Sequence, residues 1–561
     1  MTSPRPTFRN VTMFGNPPDW VEPPSPDFEI SWSDPADAEL VWDRDEMHQP
    51  FPLSPLSMDF VRNSSGAGFD IGFEFFDVPT RIRVTFQHGY AYFAPVWGVP
   101  DAEVPALQRQ MGQSFRAFGA ETEAYWARVL PELLAIYDQM RGVDVDGLPA
   151  EALAAAWDEA WAGLRRAWGI HMVIIRGPFR LTEDLAVLYA RHVPEAPAGA
   201  GYKLIQGRVD ILHDVEVGME RLSALAAAAP AVRDALLASP GPTLDGLCRL
   251  EDGATFVAAV EEFISQHGHL GQAWTDLSQP SWSDDPGLVL AEVAKRLAQP
   301  AEPASERRRR LLSESDEMAE DVRSRLARDP DALAEFERVL ALARRIGPLT
   351  ETHNYWIDRM SQARMRTLAI RIGRRLVREG SIELEADVEY LSRHEVAELL
   401  VAPRTMRAEV AARRAEHERQ RGMVAPHVIG GGASATEATA TEASAASDGQ
   451  AAPSLELHGT GASAGVARGP ARVTLGLDGL DRIRPGDIIV CPATTPSWVP
   501  VFAIAAGLVT NTGGILAHAA VVAREFGLPA VVGVAGATSR IPDGALIEID
   551  GTTGSVRVLE S

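Results

Sequence analysis

Cysteine is almost absent from this chain: Cys248 and Cys491, far apart in sequence, are the two among 561 residues. That excludes a disulfide framework and a cysteine-based metal site. Lysine is scarce throughout, and the glycine-rich pattern G-x-x-x-x-G-K-[ST] that cradles nucleotide phosphates does not occur. Long apolar runs are missing too. The longest, Val499 to Val509, is too short to span a bilayer and is broken by Gly507, so a buried helix running into a strand is expected there. The opening residues, MTSPRPTFRN, lack the apolar core of a signal peptide. Basic charge is in deficit, with 53 Lys and Arg against 77 Asp and Glu, a net charge of −24. A nucleic-acid footprint would need a basic face. These absences lead to the expectation of a cytoplasmic protein that binds neither nucleic acid nor membrane and has no metal centre of its own.

What is present sorts into a multidomain α+β chain. Residues 1–100 are rich in Pro, Gly and aromatics, and alternating runs such as RIRVTFQHGYAYF predict strands. From 101 to 428 apolar residues recur at three- and four-residue spacing, as in DALAEFERVLALARRIGPL, which predicts a largely helical domain. Residues 429–453, IGGGASATEATATEASAASDGQAAP, have scarcely any large apolar side chain and predict a flexible linker. A coil of about 25 residues has a typical reach of roughly 25–30 Å. From 454 to 561 the character switches. ARVTL, DIIVC, GLVTN, PAVVG, LIEID and SVRVL read as short strands, with helical patterns from Trp498 to Ala506 and from Ala517 to Phe526. A small α/β domain on a tether is expected.

The chemistry concentrates in TNTGGILAHAAVVAREFGLPAVVG, Thr510 to Gly533. A strand leads into Thr512-Gly513-Gly514, where glycines admit backbone conformations closed to other residues and let a ligand approach closely. A helix follows with His518 in its first turn. Helix N-termini offer unpaired N–H groups and partial positive charge, which suit a phosphate. Imidazole is a competent nucleophile for a two-step group transfer. His518 is therefore a candidate phosphoryl carrier, although an isolated histidine at a helix start more often has a structural role.

This stretch resembles the phosphohistidine signature of the phosphoenolpyruvate-utilising enzymes, T-x-G-G-x-x-x-H-x-A-x-x-A-R-E-x-G-x-P-A-V-x-G. Thr512, Gly513, Gly514, His518, Ala520, Ala523, Arg524, Glu525, Gly527, Pro529, Ala530, Val531 and Gly533 stand in register with it. The resemblance implies a swivelling domain whose histidine, His518, takes the β-phosphoryl group of ATP and hands it to an acceptor. Thr512, Gly513 and Gly514 would support the phosphoryl group. Arg524 would either contact phosphate or pair locally with Glu525.

Three earlier stretches carry a weaker resemblance to the acceptor domain of rifampicin phosphotransferase and its relatives. They are WDRDEMHQPFPLSPL (Trp42 to Leu56), FISQHGHLGQAWTDLSQPSWSDDP (Phe263 to Pro286), and Glu351 to Val396, beginning ETHNYWIDRM. No ATP-grasp candidate precedes the histidine domain, and no phosphoenolpyruvate-binding barrel follows it. That order is similar to the histidine-bearing subunit of phenylphosphate synthase and related cresol-phosphorylating enzymes. The resemblance implies ATP and Mg2+ bound by a separate ATP-grasp subunit, and a phenolic hydroxyl as acceptor. An antibiotic hydroxyl or a protein phosphocarrier role are the alternatives.

A phenol needs a base or a cationic neighbour to become a good nucleophile. Candidates are His267, His269, Asp276, His353 and Arg359, each of which has an equally plain structural reading. His48 reads as a satisfied structural histidine. The His267–His269 pair, with no third ligand nearby, is weak as a metal site. Trp274, Trp282 and Trp356 are candidates for an aromatic pocket wall, although aromatics at such positions more often belong to the core.

Overall fold

The computed structural model describes residues 23–431 and 455–560, apart from 47, 198, 209–210, 239–240, 272–274, 299–301, 476–481, 495–497, 503 and 515–517. Trp274 and nearly all of the expected linker therefore lie outside the described residues.

The strands of the first region are β1 (Val41–Arg44), β2 (Thr80–Gln87) and β3 (Tyr90–Trp97). The run RIRVTFQHGYAYF forms the β2–β3 hairpin, closed by His88 and Gly89, both at positive φ (49° and 77°). Two such residues match the right-handed twist of the flanking strands, the usual solution for a two-residue hairpin loop. The sheet order is β2-β3-β1-β4, and β4 is Val428–Gly430. This corrects the linker boundary, which was expected at Ile429. Ile429 is buried with Trp42, Tyr92 and Met423, and β4 pairs with β1 through Trp42 and Ile429. A strand donated from beyond the helices thus closes the N-terminal sheet, and residue 432 is the earliest point at which a tether can begin.

Residues 1–100 do not form a separate core. Leu56, Phe60, Phe69 and Phe93 share one apolar cluster with Trp157, Trp161 and Leu164 of the helix Ala150–Ile174, and with Leu368 and Ile372 of the helix Met360–Arg378. Two satellite clusters complete the helical region. One lies around Phe256, Val260 and Phe263, the other around Leu185, Phe336 and Leu340.

The terminal unit contains β5 (Glu456–His458), β6 (Thr460–Ser463), β7 (Val466–Val473), β8 (Ile488–Cys491), β9 (Gly507–Thr510), β10 (Ala530–Val532), β11 (Leu546–Asp550) and β12 (Ser555–Glu560). Their order is β5-β12-β11-β7-β8-β9-β10-β6. The four central strands, β7-β8-β9-β10, run parallel, and the flanking pairings are antiparallel. Cores lie on both sheet faces, Val490 and Ile547 in one, Ile489, Phe502 and Ala523 in the other. The apolar run after Val499 is a short helix (Val499–Phe502) followed by β9, as its interruption at Gly507 predicts. Among the described residues no helix is long and apolar enough to cross a membrane.

Candidate functional site

His518 is the first residue of the helix His518–Phe526, which crosses from β9 to β10 in a parallel β-α-β unit. The loop from Asn511 leaves the carboxyl end of β9, where ligands bind in open α/β sheets. Gly513 has φ +116°, a conformation that favours glycine. The Thr512 hydroxyl donates to the Pro492 carbonyl at 3.1 Å, and its N–H reaches the same oxygen, so Thr512 ties the β9 loop to the end of β8. Its proton is spent there, which leaves its oxygen as an acceptor. The side chain of His518 lies outside the described residues.

Arg524 reaches two groups outside its own helix. It is buried, its Nη1 donates to the Ala462 carbonyl at 2.9 Å, and its guanidinium lies over the ring of Tyr202, 5.4 Å from the centroid. Tyr202 sits in the 3-10 turn Ala200–Ile205 of the helical region. A second pair crosses the same boundary: Arg307 of the helix Ala304–Leu326 lies over Phe526, at 4.6 Å. The histidine-bearing helix is thereby seated on the helical region by two cation–π contacts.

The three earlier stretches, the first more than 200 residues from the second, converge in one place. Gln49 Nε2 donates to Thr275 Oγ1 at 3.1 Å, and the Ser57 hydroxyl donates to Asp276 Oδ1 at 3.1 Å while accepting the Leu277 N–H. Gln362 Nε2 donates to the carbonyls of Asp276 and Gln279. Arg359 Nη1 donates to the Gly271 carbonyl at 3.1 Å, and Arg366 pairs with Asp284 and Glu389. Local chemistry shapes each piece. Ser54 caps a helix that has Pro55 at its first position. A Cβ on Gly268 would stand 2.1 Å from Ser283 Oγ, so the His267–His269 turn closes only with glycine between the histidines. Residues Asn354–Arg359 form a π-helical turn, a distortion that recurs at functional sites.

Around that turn lie the sequence candidates. His267 Nδ1 and the Tyr355 hydroxyl are 2.8 Å apart. The Tyr355 proton goes to the Gln266 carbonyl at 3.2 Å, so His267 must be the donor in that pair. The His269 ring meets the Tyr355 ring edge-on at 4.3 Å and stacks on Trp356. Burial, with the charges of Arg364, His267 and Arg359, drives the His269 pKa down to about 3. His353 donates from Nδ1 to the Leu349 carbonyl at 2.6 Å, and burial beside His171 likewise lowers it to about 3. In both rings burial disfavours the charged form. Burial lowers Arg359 to about 10. Asp276 is turned inward to Ser57 and to the Ser278 N–H. Trp282 packs on Phe263, 5.6 Å between rings.

Two further pairs went unselected from sequence. His171 Nδ1 lies 2.7 Å from Asp358 Oδ1, both buried, with the His171 ring stacked on Trp168 and 4.8 Å from His353. His48 Nδ1 lies 3.0 Å from both carboxylate oxygens of Asp45. The D-x-x-H spacing of Asp45 and His48 was the available signal. His171 and Asp358 carried none, since each sits in a helix with nothing local to mark it. Among the described residues no group of three His, Cys, Asp or Glu side chains is arranged to hold a metal.

Residues 483–554 match the model of the PEP-utilising enzyme mobile domain, and residues 188–351 match that of the rifampicin phosphotransferase fourth domain. The terminal unit is thus similar to the mobile domain of PEP-utilising enzymes. The chain is 30% identical over 569 residues to chondramide synthase of Chondromyces crocatus, covering 96% of this chain and 14% of that protein. It is 27% identical to the uncharacterized phosphotransferase YvkC of Bacillus subtilis, over 73% of this chain and 49% of that one. A rifampicin phosphotransferase of Streptomyces sviceus is 31% identical over 56% of this chain and 36% of its own length. The chain thus spans about half or less of these curated relatives. In the mobile domain the matched segment runs from Ile483 through β8, β9 and β10 to Gly554, and so contains the whole β-α-β unit that presents His518.

Proposed function

We propose that the chain is a phosphotransferase component in which His518 receives the β-phosphoryl group of ATP and passes it to the hydroxyl of a small aromatic acceptor held by the helical region. The observation that carries this reading is the convergence of residues 45–57, 268–284 and 353–366 on one buried polar site, in the same chain as a mobile domain with an intact histidine signature. A protein phosphocarrier needs the mobile domain and has no use for such a site.

The residues divide the work. The helix beginning at His518 presents N–H groups and a positive dipole end to the phosphoryl oxygens. Transfer of a phosphoryl group needs chiefly positioning and charge stabilisation. Arg359, held on the Gly271 carbonyl, supplies positive charge at the acceptor side. Tyr355 and Trp356 furnish a ring-lined wall for an aromatic acceptor. ATP and Mg2+ are bound by an ATP-grasp unit on a separate chain, and the products are the acceptor phosphate, AMP and phosphate. A phenol or alkylphenol is the acceptor class favoured by the resemblance to the phenol-phosphorylating subunits. The match of residues 188–351 to a rifampicin phosphotransferase domain favours a second acceptor, an antibiotic hydroxyl.

Acid-labile label transferred from β-labelled but not γ-labelled ATP, in extract of the source organism, tests the carrier step. Discharge of that label by phenols or by rifampicin separates the two acceptor classes. A wild-type chain that takes up no label would contradict the reading.

A further inference from the structure

We infer that Arg307, held by Glu216, is a positioning residue that seats the His518 helix for discharge to the acceptor, so that the seated pose is the transfer pose. This rests on the phosphotransferase reading above and adds to it the surface on which the loaded domain docks.

Arg307 is fixed by its own region. It is buried near the start of the helix Ala304–Leu326, where its guanidinium pairs with Glu216 of the helix Ile211–Ala228 and Nη1 donates to the Glu302 carbonyl at 3.4 Å. One turn on from Glu216, Glu220 accepts the Ala304 N–H at 2.6 Å, which ties the start of the Arg307 helix to the same neighbour. With its edges occupied in this way, the guanidinium presents a flat cationic face at a set position. A ring that docks there need not order a loose side chain to do so. That ring belongs to Phe526, the last residue of the helix that begins at His518, and its centroid lies 4.6 Å from the guanidinium.

Two further contacts lie beside this one. Arg524, on the same helix as Phe526, reaches Tyr202 of the turn Ala200–Ile205. The short helix Val499–Phe502 lies against the helix Gly287–Ala298. The latter helix follows directly on the stretch that ends at Pro286, in which Asp276 is bonded to Ser57 and Asp284 pairs with Arg366. The mobile unit thus rests on the continuation of the acceptor stretch, and all three supporting elements belong to the helical region. The two ends of the His518 helix have separate duties. Arg524 and Phe526 hold it, while His518, roughly 12 Å from Phe526 along the axis at 1.5 Å per residue, carries the phosphoryl group. In this pose the acceptor oxygen bonds to phosphorus, the P–N bond breaks with its electron pair returning to the His518 ring, and the hydroxyl proton passes to solvent.

The test uses full-length chain labelled at His518 from β-labelled ATP in source extract, then repurified. Release of label is followed with whichever of phenol and rifampicin discharges the wild type. Arg307→Met is expected to take up label to the wild-type extent but to discharge about fivefold more slowly, the size of one cation–π contact. Phe526→Leu leaves the Arg307–Glu216 pair in place, is expected to behave likewise, and serves if Arg307→Met does not fold. A locked chain reads the pose itself. Cys248 is exposed and Cys491 buried, so Arg307→Cys with Phe526→Cys is made in a Cys248→Ser background and joined by a short bis-maleimide. Joined after labelling, it is expected to discharge faster than the same chain left unjoined; joined before, it is expected to take no label. Unchanged discharge in folded Arg307→Met and Phe526→Leu overturns the inference. So does a labelled chain that discharges no faster when joined, or an unlabelled one that still takes label when joined. A wild-type chain that takes no label, or whose label neither acceptor removes, overturns the underlying phosphotransferase reading and this role with it.

Discussion

The guanidinium of Arg524 rests over the ring of Tyr202, joining the helix that begins at His518 to the region that carries the acceptor candidates. Arg524 belongs to the sequence signature of the mobile domain, where it was weighed as a phosphate contact or a partner of Glu525. In the structure it also touches Tyr202, and with Arg307 over Phe526 it marks the seated pose.

Tyr202→Ala should therefore loosen that pose. A cation–π contact of this kind contributes on the order of 1 kcal/mol, so the equilibrium constant for seating should fall about fivefold. Distance distributions between spin labels on the two units would read the change. A distribution identical to wild type would remove Tyr202 from the interface.

Tyr355→Phe tests the buried ring network. The hydroxyl accepts from His267 and donates to the Gln266 carbonyl, and its removal strands the buried His267 donor. A loss of about 1–3 kcal/mol in chemical unfolding is expected, the cost of unsatisfied buried groups. A loss of a few tenths would mean that the two groups find other partners.

Glu395 offers a stability test away from the site. It closes a capping box with Ser392 and forms a two-pronged pair with Arg413, which holds its carboxyl down at about 2. Its folded pKa lies below the unfolded value, so its contribution is present above about pH 4.5 and is lost as pH falls toward 2. Glu395→Gln should destabilise the protein at pH 7 by about 1 kcal/mol and flatten this part of the acid limb. Unfolding curves at pH 7 and pH 3 that shift equally for wild type and variant would contradict it.

Much of this organisation was legible in the sequence, for identifiable reasons. The six β-branched runs of the terminal unit all became strands, because each is short, apolar and bounded by Gly, Pro or Asp. Strands β5 and β6 were not foreseen: ELH and TGAS hold few β-branched residues, and their pairing to β12 and β10 is decided by tertiary contact. β4 was read as tether because VIGG opens a glycine-rich run, and nothing local shows that Ile429 is buried on Trp42. In the site, His267, His269, His353 and Arg359 gather at the π-helical turn, and Asp276 joins the same network facing Ser57. The protonation behaviour of these groups was not legible. It depends on how deeply each ring is buried and on charges such as Arg364 and Asp358 that come from other segments.

The most direct test of the central claim is label transfer from β- and γ-labelled ATP to the full-length chain in source extract, with wild type beside His518→Ala. The account predicts acid-labile label from the β position alone, absent from the variant and discharged from wild type by an aromatic hydroxyl. Label retained in His518→Ala, or none on wild type in extract that phosphorylates phenols, would contradict it.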